Sequence, residues 1–483
     1  MQAERTAQGL AATGEHVGVS RTLADFVERT EWCDLPAVVR REAVRALVNY
    51  FAAALAGCAD PAIERASAVF ARFRAGEDAG LIGRRERTDL LNAAALNAMS
   101  ANVHDFDDTH LPTIIHPTAP VAAALFALAE CAPRPGAAPL RGQELLLALG
   151  LGVEIECRLG MAVSPGHYRR GWHITSTCGV FGAAAAAGKV LRLDARRLVW
   201  AFGQASAQAS GLIETLGTMA KSLGVGNAAR NGVLAALLAA QNFSGPQEPI
   251  DGERGFLRVT TDHPDPGAAV AGLGRDWALL SNGYKAYPCA IVLHAAIDAC
   301  LQLRQRAAET PWVSADIERI ELVGHPLLRE RTDRPRPGSS REAQVSAQHA
   351  VAVALARGSA GLADFSDASV ADPALRALGA QVMLIDDPRL AVEAAQITLV
   401  LRSGRTVSRR VDAPRGGPAA PLSDVELSAK LRELAAYGAS GIAVQPLLDA
   451  LWGLEQGADA AAPMRAACRT GTTEPLTHPG GHT

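Results

Sequence analysis

The chain reads as mainly α-helical: a large all-α domain followed by a smaller α+β lid domain. Three observations predict this. Between residues 34 and 242, apolar residues recur at helical spacing, and abundant alanine supplies helix propensity and permits close helix packing. No strand pattern occurs before about residue 270. Beyond it, Ile317 to Val323, Gln396 to Leu401 and Thr406 to Val411 are β-branched-rich runs, the last two flanking a Ser403-Gly404 hairpin signal.

Taken in order, residues 1 to about 20 read as a loose arm. Asp34-Leu35-Pro36 opens a helix in which Val39, Ala43, Leu47, Phe51 and Leu55 recur every four residues, and Gly57 stops it. Helices are expected at about 61–75, 88–103, 118–131, 141–159, 176–190, 194–210 and 227–242. Pro133-Arg-Pro-Gly, Ser164-Pro-Gly and Ser244-Gly-Pro punctuate them as loops. Helices at about 291–307, 341–357 and 373–379 accompany the strands, and Asp424 to Tyr437 and Ile442 to Leu454 return to helix. The expected divisions are a helical domain at 20–269, the α+β lid at 270–412, C-terminal helices packing back at 413–455, and a disordered tail at 456–483.

Composition narrows the function. A chain of 483 residues with 48% apolar and 20% charged residues is ordinary for a soluble globular protein. A net charge of −3 and a pI near 6.5 give no footprint for nucleic acid or an anionic membrane. Eight cysteines without a CxxC pair match no zinc or disulfide framework, and no apolar signal segment opens the chain, so a cytoplasmic location is expected. Runs such as Val233 to Ala240 are too short to span a bilayer. Of 47 basic side chains only four are lysines: Lys189, Lys221, Lys285 and Lys430. Lysine is a compact ammonium whose proton affinity shifts on burial, which arginine cannot imitate. In so arginine-dominated a chain, the surviving lysines become candidates for function.

Four stretches carry residues suited to chemistry. His104 to Pro117 packs three carboxylates and three imidazoles between apolar segments, where charges cost free energy unless paired or used. If the helix before it continues, Asp105, Asp108 and Thr109 share a face, and a new helix begins after Pro117. Imidazoles beside carboxylates serve as general acids and bases. The same residues also fit a network of caps and ion pairs, or a metal site, although no HExxH-type ligand pair is present. Gly166 to Gly179 places His173, Thr175, Ser176 and Thr177 at a helix start, where backbone N–H groups bind carboxylates; a plain Ser/Thr cap reads the same way. Leu216 to Arg230 sets Lys221 among glycines just before a helix, without the GxxxxGK[ST] pattern of a phosphate loop. Tyr284 to Cys289 holds Lys285, followed by His294; no partner completes a Cys289–His294 thiol pair, and Lys285 is the stronger candidate.

In this order, the stretches DFDDTHLPTIIHP, GWHITSTCGVFGAAAAAGKVLRLD, GTMAKSLGVGNAARNGVLAALLA and YKAYPCAIVLHAAIDA resemble the MmgE/PrpD family, and AQVSAQHAVAVAL at 343–355 is similar to its lid segment. The likeness covers roughly residues 20–455. It implies a helical domain with an α+β lid, a homodimer, and a cofactor-independent lyase or isomerase with no metal. Such enzymes act on a small di- or tricarboxylate, as 2-methylcitrate dehydratase, iminodisuccinate epimerase and cis-aconitate decarboxylase do. Family active-site positions fall on Asp105, Thr109, His116, His173, Lys221 and Lys285. The chain departs from many members at Asn102 and Gly224, where they carry histidine, and from the decarboxylases at Ala290, again in place of histidine. The implied chemistry is removal of a proton next to a carboxylate. Lys221 and Lys285 would stabilise the charge, helped by N–H groups around Thr175 and Gly179. His173 or Asp105 would be the base and His116 the acid, with Asp108 and Thr109 contributing to substrate binding. The alternatives are a metal-dependent hydrolase built on His104–His116 and a non-catalytic carboxylate-binding protein.

Overall fold

The computed structural model describes residues 18–131, 138–306 and 312–469. Most of the expected N-terminal arm and the Pro133 loop lie outside them. The helical body is built from α1 (Val19–Arg29), α2 (Ala37–Gly57), α3 (Pro61–Phe70), α4 (Leu90–Asn102), α5 (Thr118–Glu130), α6 (Gly142–Val163), α7 (Ile174–Val190), α8 (Ala195–Ser206) and α9 (Ala220–Ala240). Asp60, Asp89 and Asp194 accept hydrogen bonds from the free N–H groups that open α3, α4 and α8.

Helix α7 is the hub. It is buried from Ile174 to Gly188 and packs on α5, α6, α8 and α9. Its alanines allow that approach, and α9 matches them with glycine. A Cβ on Gly232 would sit 2.4 Å from Ala183 Cβ, and one on Gly226 would meet the Ala95 carbonyl of α4 at 2.7 Å. Helix α9 is long and apolar enough to cross a membrane by length and composition. Here it packs against α4, α5, α7 and α8.

The body is not wholly helical, which corrects the sequence expectation. Strands β1 (Ala79–Gly80) and β2 (Arg87–Thr88) form a small antiparallel pair. β3 (Asp108–His110) pairs antiparallel with β4 (Asn282–Tyr284). These strands span two or three residues, too few for an alternating pattern to register in sequence.

A second apolar cluster gathers residues between Tyr287 and Val411. Its sheet runs in the order β6-β5-β7-β8, with β5 at Ile317–Gly324, β6 at Val382–Asp386, β7 at Ala395–Leu401 and β8 at Thr406–Val411. β6 pairs parallel with β5, and the other pairings are antiparallel. Along β7 every second residue is buried, and the covering helix α10 (His294–Gln305) packs on β7 and β8. Helices α11 (Pro326–Thr332), α12 (Ala347–Arg357) and α13 (Pro373–Gly379) complete this unit.

Helices α14 (Asp424–Tyr437) and α15 (Val444–Trp452) pack back onto α2. The expected loss of structure from residue 456 is corrected in part. Helix α16 (Ala462–Ala467) packs on α15 and buries Met464 and Ala467 completely; residues 470–483 lie outside the description.

Candidate active site

The β3–β4 pairing decides where the cleft forms. It sets Asp108 opposite Tyr284 and His110 opposite Asn282, so the turn before β3 and the lysine after β4 become neighbours across 180 residues. Helix α4 stops at Asn102 instead of continuing through the acidic cluster. Asp105 then adopts a left-handed backbone with φ of 52°, and Ile114, on the same wall, does so with φ of 60°. For a β-branched residue such a φ is rare. The shared helical face expected for Asp105, Asp108 and Thr109 therefore does not exist; the strained turn separates their directions.

Two ammonium groups close on Asp105. Lys285 Nζ donates to the Asp105 carbonyl at 2.9 Å and lies 2.9 Å from Oδ2. Lys221 donates to Oδ1. Lys221 sits inside the first turn of α9, not in a loop before it. A cation there opposes the helix dipole, so the Asp105 carboxylate is what makes the position tolerable. His116 completes the group, with Nε2 3.6 Å from Asp105 Oδ1. Its Nδ1 is 2.8 Å from the Asp108 carbonyl. A carbonyl can only accept, which assigns the hydrogen of the neutral ring to Nδ1 and the lone pair to Nε2. The His116 backbone N–H donates to Thr175 Oγ1 at 3.1 Å, tying the wall to the start of α7. His173 is the N-cap residue of α7, with Nδ1 2.6 Å from Ser176 Oγ, which leaves Nε2 for the cleft.

The charges are set by burial and by each other. Burial pushes the Asp105 carboxyl up, but Lys221 and Lys285 outweigh it and hold it well below the usual range. So firmly ionised a carboxylate is a weak base. Burial, reinforced by Lys221, lowers His173 to about 3; its imidazole is neutral but weakly basic in the empty cleft, and it serves as a base only once a bound anion offsets the lysine charge. His116 is also lowered, by burial first, against the pull of Asp107.

These groups line one cleft of about 130 Å³ between the helical body and the α+β unit. Asp105, Thr109, His116, His173, Thr175, Lys221 and Lys285 all face it. Two expected substrate contacts do not. Asp108 is fully buried behind the wall, its carboxylate held by Thr118 and Asn282. Gly179 lies inside α7 against Pro120 and Glu156, its N–H committed to the helix. Cys289 is buried and its thiol pushed up by burial, so it offers no thiolate.

The lysine count pointed further than expected. Lys430 of α14 sits directly behind the cleft, donating to Asn49 Oδ1 at 2.8 Å, the Phe106 carbonyl at 3.0 Å and the Lys285 carbonyl at 2.8 Å. Lys189 instead serves the α1 end, bonding the Glu28 carbonyl. Sequence reasoning missed Tyr168, Arg331, Arg341 and Gln344 on the cleft wall. Tyr168 lies within the Gly166 to Gly179 stretch, but nothing in spacing separates Arg331 or Arg341 from their many neighbouring arginines. Arg341 donates to Asp60 at 2.7 Å and Gln344 to the His104 carbonyl at 2.7 Å, joining the α+β unit to the body.

A divalent cation has one candidate place among the described residues, where Asp105, Asp107 and His116 bring ligand atoms within 4.8 Å. Asp105 there already holds two ammonium groups, whose charge opposes any metal sharing its oxygens.

Fold and site together define a helical protein with an appended α+β unit and a cation-lined cleft suited to a small anion. The chain belongs to the MmgE/PrpD family: the family's N-terminal domain matches residues 21–269 and its C-terminal domain residues 287–453. It is similar to the cis-aconitate decarboxylase of Homo sapiens, 29% identical over 371 residues that cover 75% of this chain and 76% of the human protein. The Mus musculus enzyme is 30% identical over 350 residues, 70% of each chain. The cis-aconitate decarboxylase of Aspergillus terreus is 26% identical over 465 residues, 92% of this chain and 94% of its own length.

Proposed function

We propose that the protein is a cofactor-independent lyase or isomerase that moves a proton next to a carboxylate of a small di- or tricarboxylate. The observation that carries this reading is the convergence of Lys221, Lys285 and His116 around one carboxylate in a cleft that His173 also lines. A proton α to a carboxylate is weakly acidic, and its removal creates charge on the carboxylate oxygens. Fixed cations placed where that charge develops lower the barrier because they need no reorganisation. On substrate entry, an incoming carboxylate competes with Asp105 for Lys221 and Lys285, and neutral His173 takes the proton on Nε2. The anionic substrate raises the proton affinity of both imidazoles; His116 takes a proton from solvent on Nε2 as the substrate binds, and then gives it to the carbanion or to a leaving hydroxyl, which departs as water.

Dehydration and epimerisation are the outcomes this reading favours, because Ala290 puts a methyl group on the cleft wall where the family's decarboxylases carry an imidazole. The similarity to cis-aconitate decarboxylases supports a second outcome, in which the bond to a carboxylate breaks in place of the C–H bond, carbon dioxide leaves, and the electron pair left on the chain is protonated by a cleft acid. A homodimer working in the cytoplasm is part of the proposal, as is the α+β unit acting as a lid.

Incubation with 2-methylcitrate, citrate, cis-aconitate and iminodisuccinate in deuterated buffer, followed by proton NMR, tests it. Consumption of one of them, with solvent deuterium entering next to a carboxylate, is expected. No turnover and no exchange with any of the four would reduce the site to a binding cleft. Activity lost to a chelator and restored by a metal would favour the hydrolase alternative.

A further inference from the structure

The cleft wall carries more positive charge than its own residues answer. Lys221, Lys285, Arg331 and Arg341 all line it. Two carboxylates respond, Asp105 to both lysines and Asp60 to Arg341. Behind the wall, Asp107 and Lys430 act on each other with opposite charge. Arg331 is the remainder. It forms no ion pair among the described residues, whereas Arg329, two positions earlier on α11, holds Asp386 at 3.0 Å. Arg331 Nε is buried without a hydrogen-bond partner, and the guanidinium lies 5.5 Å from the centre of the Tyr168 ring. A desolvated guanidinium N–H without an acceptor is costly. Guanidinium matches carboxylate in geometry, through paired N–H groups that an ammonium lacks.

The geometry points to Arg331 as the anchor for a second substrate carboxylate, remote from the one held by Lys221 and Lys285. This deepens the proposed function and rests on it. Arg331 belongs to the α+β unit and Tyr168 to the helical body, so a ligand with carboxylates at both ends bridges the two. A monocarboxylate engages the lysine end alone. Arg331 thereby selects polycarboxylates, and it binds by positioning the substrate, with no part in proton transfer.

The test is equilibrium binding of tricarballylate, a tricarboxylate with no hydroxyl or double bond to react, alongside propionate, for wild type and the variants R331Q, R331K and K221A. For R331Q, tricarballylate binding should weaken by roughly tenfold to a hundredfold, the range of one charge-assisted contact. Propionate binding should stay within about twofold, and R331K should recover part of the loss. With substrate, R331Q should raise KM far more than it lowers kcat. Because Arg331 forms no ion pair among the described residues and its Nε is buried without a partner, R331Q should melt no lower than the wild type. If R331Q binds tricarballylate like the wild type while K221A does not, Arg331 is no anchor and the parent reading survives. If the wild type does not bind tricarballylate at all, the polycarboxylate reading falls and this inference with it.

Discussion

Asp105 occupies a backbone conformation that a non-glycine residue adopts only at a cost of order ~1–3 kcal/mol. What holds it there is Lys285, which bonds both its carbonyl and its carboxylate. That double contact makes the lysine a structural clamp as well as a charge. Lys221 and His173 make fewer such contacts, so their removal reports on chemistry more cleanly. Lys221→Ala and His173→Ala should each lose about 10²–10⁴-fold in turnover while circular dichroism and melting stay near wild type; retention of full rates by both would remove them from the reaction. Asp108 makes a different prediction. Burial raises its carboxyl to about 6, against the hydrogen bonds from Thr118 and Asn282. A folded value above the unfolded one means that the folded protein holds an extra proton between about pH 4 and 6. Asp108 therefore costs stability increasingly as pH rises through that window. Asp108→Asn should stabilise the protein at pH 7–8 by up to about 3 kcal/mol, with the gain vanishing below pH 4. Melting curves of both proteins across pH 4–8 check this, and a variant less stable at pH 8 would contradict it.

Helix α14 acts on the site without touching the cleft. Through Lys430 it fastens the Phe106 carbonyl, the Lys285 carbonyl and Asn49 of α2 at a single point, with the ammonium 3.9 Å from the centre of the Phe106 ring. Burial lowers Lys430 to about 7; Asp107, Asp108 and Glu433 oppose the shift and Lys285 adds to it. A neutral amine keeps two hydrogens for three acceptors, so the clamp loosens as pH rises through that value. Lys430→Met should lower kcat at every pH, and the wild type should show an alkaline decline that Lys430→Arg lacks. A pH–rate profile of Lys430→Met identical to the wild type would show that the clamp is dispensable. The terminal helices had been expected to return to the body on apolar pattern alone. Which of their polar residues mattered was invisible there, because Lys430 lies in an ordinary amphipathic stretch and its acceptors come from residues 49, 106 and 285.

Cleft geometry depends on how the α+β unit meets the helical body. Arg341 bridges that junction, donating to Asp60 at 2.7 Å and to the Val103 carbonyl at 3.2 Å. Asp60 also caps α3, so the same carboxylate serves the body and the junction. Asp60→Asn keeps the cap and removes the charge; together with Arg341→Ala it forms a double-mutant cycle. Each single change should raise KM severalfold, and the double change should cost little more than Arg341→Ala alone. Independent, additive effects would mean that the pair does not couple the two units.

Much of this architecture was legible in one dimension. Helical spacing marks the helices among α2 to α9 that bury one stripe, and unbroken alanine-rich apolar runs mark those buried all round, such as α5 and α7. Alternation and the Ser403-Gly404 turn mark β7 and β8 for the equivalent reason in a pleated strand. The density of His and Asp between 104 and 116, and the scarcity of lysine, pointed to the residues that line the cleft. Other features belong to the folded chain because they depend on contacts between distant segments. β3 has three residues and exists by pairing with β4; with that pairing, the expected helical face of Asp105 and Asp108 becomes one residue in the cleft and one behind it. Gly179 looked like a binding residue until α7 closed around it. Arg331 is one arginine among many in sequence, and becomes distinct where folding leaves its guanidinium beside Tyr168 with no carboxylate among the described residues to meet it. Local pattern reports which side chains seek burial, whereas the partner each finds is set by packing.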